Sequence, residues 1–124
     1  MKKIIMEKAK EASKNSYSPY SKFKVGAALK TKSGEIFTAS NVENSSYGLS
    51  MCAERIAVFK AVSEGFREFE EIAIYCDSEI FFSPCGACRQ VLAEFSPHIK
   101  IYYGNDSKTI ETNLDELLPQ MFNL

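Results

Sequence analysis

The chain has 124 residues, 45% hydrophobic and 25% charged, which fits one globular domain spanning residues 1–124 and excludes disorder or collagen-like repeats. Fifteen basic and sixteen acidic residues give a net charge of −1, with no Lys/Arg run interleaved with aromatics. Polymeric nucleic acid is therefore not an expected partner, and a small or neutral ligand fits better.

In chain order, MKKIIMEKAK lacks the apolar core of a signal peptide. No stretch approaches the ~20 apolar residues of a membrane span. A cytoplasmic protein with no membrane partner is expected, its four cysteines reduced and available as ligands or core residues. Lys2 to Ser13 places Ile5, Ala9 and Ala12 on one stripe and predicts an amphipathic helix. Ser16-Tyr17-Ser18-Pro19-Tyr20-Ser21 reads as a loop. Val25–Leu29 and Ile36–Ala39 read as strands joined by a turn at Lys32-Ser33-Gly34. Met51 to Val62 predicts a buried helix capped by Ser50 and stopped at Gly65.

Ile72–Cys76 predicts a central strand, followed by a second buried helix with Ser83 as cap and Pro84 in its first turn. Ile99–Tyr103 and an edge strand over Lys108–Thr112 follow, then a short helix over Leu114–Leu118 before Pro119. Strands alternating with helices imply an α/β fold, a three-layer α/β/α sandwich around a mixed five-stranded sheet.

Two clusters carry chemistry: Cys52-Ala53-Glu54-Arg55 and Ser83-Pro84-Cys85-Gly86-Ala87-Cys88. Each lies at a predicted helix start, where positive partial charge favours the thiolate. Cys85 and Cys88, three apart, point at one metal atom, and Cys52 completes three ligands. Three protein ligands on tetrahedral zinc leave a position for water, which the metal acidifies. Glu54, two residues from a ligand, belongs beside that position moving protons. Arg55 is placed to donate to the sulfurs and draw charge off them. Cys76 ends a strand and reads as a core thiol rather than a fourth ligand; His98 sits in a loop with no expected role. A lone Cys-x-x-Cys also suits a dithiol redox protein, and three Cys a structural zinc module that would leave Glu54 unexplained.

The Cys-x-Glu and Pro-Cys-x-x-Cys pair is the zinc deaminase signature in its three-Cys form. The sequence resembles the short cytidine deaminases over nearly its whole length: through Tyr20-Ser21-Lys22-Phe23-Lys24-Val25-Gly26-Ala27-Ala28-Leu29, Asn41-Val42-Glu43-Asn44, Cys52-Ala53-Glu54-Arg55, and Pro84-Cys85-Gly86-Ala87-Cys88-Arg89-Gln90-Val91. The resemblance implies one zinc per chain and hydrolytic deamination of cytidine or deoxycytidine in pyrimidine salvage. It implies that Asn41 and Glu43 hold the ribose 3′-hydroxyl and that Phe23 packs on the pyrimidine. The Ala53 N–H and Ser83 carbonyl would read the base edge, with Tyr47 at the sugar end. It further implies a homotetramer in which Phe122 closes a neighbour's site. Phe81-Phe82 is bulkier than usual for the family at that position. A deaminase of a cytosine-containing antibiotic such as blasticidin S is the nearest rival, and would be expected to lack the Asn41/Glu43 clamp.

Overall fold

The structure, a computed structural model, describes residues 2–122. Helix α1 (Lys2–Ser13) buries Ile5, Ala9 and Ala12 against a sheet face of small and aromatic residues, Ala28, Ala73, Tyr75 and Tyr102. The approach is close because β1 (Val25–Thr31) carries Gly26 beneath the helix. A Cβ there would stand 1.9 Å from the Ala9 carbonyl oxygen, so the position admits glycine alone.

Strand β1 pairs antiparallel with β2 (Ile36–Ser40) through a turn that Gly34 completes at φ 104°, a left-handed backbone that costs glycine nothing. On its other edge β1 pairs antiparallel with β3 (Phe69–Cys76). Strand β3 runs parallel to β4 (Lys100–Gly104), and β4 antiparallel to β5 (Thr109–Asn113). The order is β2-β1-β3-β4-β5. The one parallel pair requires a crossover, which α3 (Gly86–Phe95) provides. With α2 (Ala53–Ser63) it covers the sheet face opposite α1 and buries the larger core, built from Leu29, Val58, Ile72, Ile74, Leu92 and Ile101 among others. A four-residue helix, α4 (Leu114–Leu117), follows β5, capped by the Asn113 side chain. Among the described residues no helix is long and apolar enough to cross a membrane.

The expected mixed five-stranded sheet with helices on both faces is present. Both helix caps differ from expectation. The cap of α2 is Cys52, not Ser50. Met51 is held extended by reciprocal backbone bonds with Val42 (2.9 and 3.0 Å), and the Ser50 hydroxyl accepts from the Asn44 N–H instead. The cap of α3 is Cys85, whose sulfur accepts from the Cys88 N–H at 3.5 Å. The Ser83 hydroxyl is occupied by Arg89. Strand β3 also starts at Phe69 rather than Ile72, because Phe69 and Glu71 pair with Thr31 and Lys30.

Candidate active site

The two corrected caps place a thiol at the start of each of two helices that meet. The sulfurs of Cys52 and Cys85 lie 4.0 Å apart, and those of Cys85 and Cys88 3.3 Å. All three fall within 4.8 Å of one another. Thiolates at about 2.3 Å from a tetrahedral zinc stand roughly 3.8 Å from each other, so the group fits one zinc with little movement. Cys88 is fully buried, whereas Cys85 is open to solvent.

Electrostatics within the cluster are uneven. A hydrogen bond from the Cys88 thiol, followed by donation and charge from Arg55, brings Cys52 down to about 5 against the burial that opposes it. The same bond to Cys52, together with burial, pushes Cys88 up. Cys52 is thus more readily ionised than Cys88, and ligation of the sulfurs as thiolates displaces the protons they carry. The Arg55 Nη2 lies 3.6 Å from the Cys52 sulfur. Its Nε is buried with no protein partner among the described residues, which suits a side chain committed to an anionic centre.

Glu54, in the first turn of α2, is only 6% exposed. Burial is the main reason its carboxyl is pushed up to about 7, and the neighbouring Cys52 thiolate adds to it. The nearby Cys88 thiol and Arg55 act the other way, drawing it down. A carboxyl poised there takes up and releases protons near neutrality. Ala53, fully buried, is the first residue of α2, so its N–H is one of the helix donors lacking an intrahelical acceptor.

Glu43 is held in the opposite direction. Burial pushes its carboxyl up, but the Ser21 hydroxyl and the N–H groups of Ser21 and Tyr20 outweigh that and keep it below the usual range. Asn41 is buried and pins the same loop from inside: its Oδ1 accepts from the Val25 N–H (3.0 Å) and the Ser16 hydroxyl, and its Nδ2 donates to the Phe23 carbonyl (2.9 Å). Glu43 and Tyr47 line an open cavity of about 390 Å³ with Tyr20, Ser21 and Ser50. Tyr47 is 74% exposed, its ring edge-on to Tyr20 at 5.9 Å. Phe23 is half-buried beside this loop.

Ser83 precedes the Cys85 cap and is clamped by Arg89, which donates to the Ser83 hydroxyl (2.7 Å), the Pro84 carbonyl (2.7 Å) and the Leu117 carbonyl (2.8 Å). The sequence gives Arg89 no role of its own, although it directly follows the Cys85/Cys88 pair; its contacts lie five, six and 28 residues away. Phe122 projects from the C-terminal tail at 67% exposure. Cys76 stands apart from the sulfur group, its thiol 3.7 Å from the Ile80 carbonyl. His98 is exposed and pairs with Asp115 at 3.0 Å, likewise away from the sulfurs.

Comparison with known proteins agrees with this geometry. Residues 1–105 match the model of the cytidine and deoxycytidylate deaminase zinc-binding region. The chain belongs to this deaminase family. Cytidine deaminases from Halalkalibacterium halodurans and Sporosarcina psychrophila are 47% and 48% identical to it, over 98% and 99% of this chain and 93% and 91% of theirs. The crystal structure of cytidine deaminase from Burkholderia pseudomallei superposes with a TM-score of 0.92 at 44% identity, covering 97% of this chain and 98% of that one. The deaminase is a zinc enzyme, and Cys52, Cys85 and Cys88 form a group able to hold the ion.

Elemental analysis of protein purified without added metal should find about one zinc per chain. Cys85→Ala should lose it and Cys76→Ala should keep it. Loss of zinc from Cys76→Ala would mean a closed, four-sulfur site.

Proposed function

We propose that the deaminase hydrolyses cytidine and deoxycytidine to uridine and deoxyuridine, releasing ammonia, as a cytoplasmic enzyme of pyrimidine salvage. The observation that carries this reading is a buried carboxyl, Glu54, held near neutrality against three thiols able to bind one zinc. Bound zinc, held by Cys52, Cys85 and Cys88, supplies a polarised water of lowered pKa. Glu54 takes a proton from the attacking water and delivers it to N3 of the pyrimidine, which makes C4 electrophilic. It then moves a second proton from the new C4 hydroxyl to the amino nitrogen, and ammonia leaves. Arg55 offsets part of the sulfur charge, keeping the centre electrophilic.

The remaining groups orient the substrate. The Ala53 N–H and the Ser83 carbonyl read the base edge, and Phe23 packs on the ring. Asn41 and Glu43 receive the ribose 3′-hydroxyl, with Tyr47 at the sugar end. Asn41 already spends Oδ1 on two donors and one Nδ2 hydrogen on Phe23, leaving a single N–H for the sugar. Glu43 spends both Oε1 lone pairs on the Tyr20 and Ser21 N–H groups and one of Oε2 on the Ser21 hydroxyl, leaving one Oε2 lone pair for the sugar.

With purified protein, loss of cytidine absorbance against cytosine, CMP and blasticidin S tests the substrate. Glu54→Gln should keep zinc and fold while turnover falls by at least ~10². Near-normal turnover would remove Glu54 from the proton path.

Glu43→Ala should lower kcat/KM for cytidine by about 1–3 kcal/mol, the range for a stranded buried polar partner, with zinc content unchanged. An unaltered kcat/KM would leave Glu43 as a loop anchor for Tyr20 and Ser21.

The active form we propose is a homotetramer with sites shared between subunits. A single small domain has little surface to enclose a nucleoside, yet pockets bury most of their ligand. Tyr47, Leu49 and Phe122 are left exposed on this chain, and closed symmetric assemblies are the usual way such surface is covered. Light scattering at assay concentration should report four chains. Inactive Glu54→Gln and Phe122→Ala chains, mixed and reassembled, should recover activity; a fully active monomer would defeat the arrangement.

A further inference from the structure

We propose that Arg89 is a positioning residue for the metal: its guanidinium fixes the peptide that leads into Cys85 and so holds that sulfur against the other two. This role rests on zinc at the three cysteines and is independent of the substrate.

Each sulfur reaches the group by a different route. Cys88 is fully buried within α3. Cys52 follows Met51, which its reciprocal backbone bonds with Val42 hold in place, and the Cys52 sulfur accepts from Arg55. Cys85 has neither support. It is exposed, and it closes an irregular segment that begins where β3 ends at Cys76. Among the described residues, Phe81 to Pro84 make no backbone–backbone hydrogen bond. The Pro84 ring is buried, but proline sets only its own φ and leaves free the ψ rotation that aims Cys85. A ligand on such a segment loses conformational freedom when it binds, and that entropy opposes binding.

Arg89 removes that freedom in advance. Its Nε donates to the Pro84 carbonyl at 2.7 Å, which belongs to the peptide unit joining Pro84 to Cys85. Its own backbone N–H donates to the Cys85 carbonyl at 2.9 Å. One residue thus holds the peptides on both sides of Cys85. Nη2 secures the Ser83 hydroxyl at 2.7 Å and Nη1 the Leu117 carbonyl at 2.8 Å. The Leu117 bond supplies the fixed point, because Leu117 ends α4 and Leu114 of that helix is fully buried. Three acceptors in three directions suit the rigid planar fork of a guanidinium, and a single ammonium does not span them.

The test compares zinc-loaded wild type with Arg89→Met and Arg89→Lys. Zinc affinity, measured by competition with a chelator, should fall about 10- to 100-fold in Arg89→Met, the range for losing a group that orients a ligand. Arg89→Lys should recover little of it. With cobalt in place of zinc, Arg89→Met should show weaker sulfur-to-cobalt charge-transfer absorption than wild type. Alkylation of the loaded proteins, mapped by mass spectrometry, should rise at Cys85 in both variants, while Cys76, buried and outside the metal group, stays protected. A general loosening of the fold would expose Cys85 and Cys76 together, and that pattern overturns the proposal. Wild-type zinc affinity with Cys85 protected, in either variant, also overturns it; Arg89→Lys keeps the test decisive if Arg89→Met does not fold. A wild type that binds no zinc overturns the metal assignment and this proposal with it.

Discussion

Three sulfurs crowded to within 4.8 Å are an unfavourable arrangement unless something positive sits among or behind them. Three sources supply it here. The starts of α2 and α3 direct their positive ends at the cluster, Arg55 donates to Cys52, and zinc provides the rest when bound. Much of the architecture serves to bring those two helix starts together. The Val42–Met51 bridge keeps the chain extended up to Cys52, so that α2 begins at the sulfur group. The parallel pairing of β3 and β4 obliges the chain to cross back over the sheet, and α3 makes that crossing beginning from Cys85.

The same residue type does two jobs because its surroundings differ. Glu54 is buried beside a thiolate, which disfavours the charged form and prepares the carboxyl to carry protons. Glu43 is ringed by three donors on a partly open loop, which favours the charged form and suits it to accepting hydrogen bonds. Neither behaviour is a property of glutamate; each follows from what the fold places around it.

The loop from Ser16 to Val25 links the two ends of the site. Asn41 fastens it from within through Ser16, Phe23 and Val25, and Glu43 fastens its tip through Tyr20 and Ser21. The residues assigned to the sugar thus also set the position of Phe23. In the function proposed above, a change at either would reach the base as well as the ribose.

Much of this was legible in the sequence. The helical stripe of α1, the turn at Gly34 and the alternation of strands and helices are local patterns, and they appear where they were expected. The spacing of Cys52, Glu54, Cys85 and Cys88 named the metal group, because ligand geometry is carried by residue type and helical periodicity over a few positions. What only the tertiary structure decided was competition for hydrogen-bond partners. Ser50 and Ser83 carry side chains suited to capping, yet Asn44 and Arg89 engage them, and the thiol-bearing residues become the caps. Arg89 reaches Leu117, 28 positions away, and Phe82 meets Phe23 across 59 positions. Such contacts leave no periodic signal, because the energy that selects them comes from packing elements that are distant in the chain.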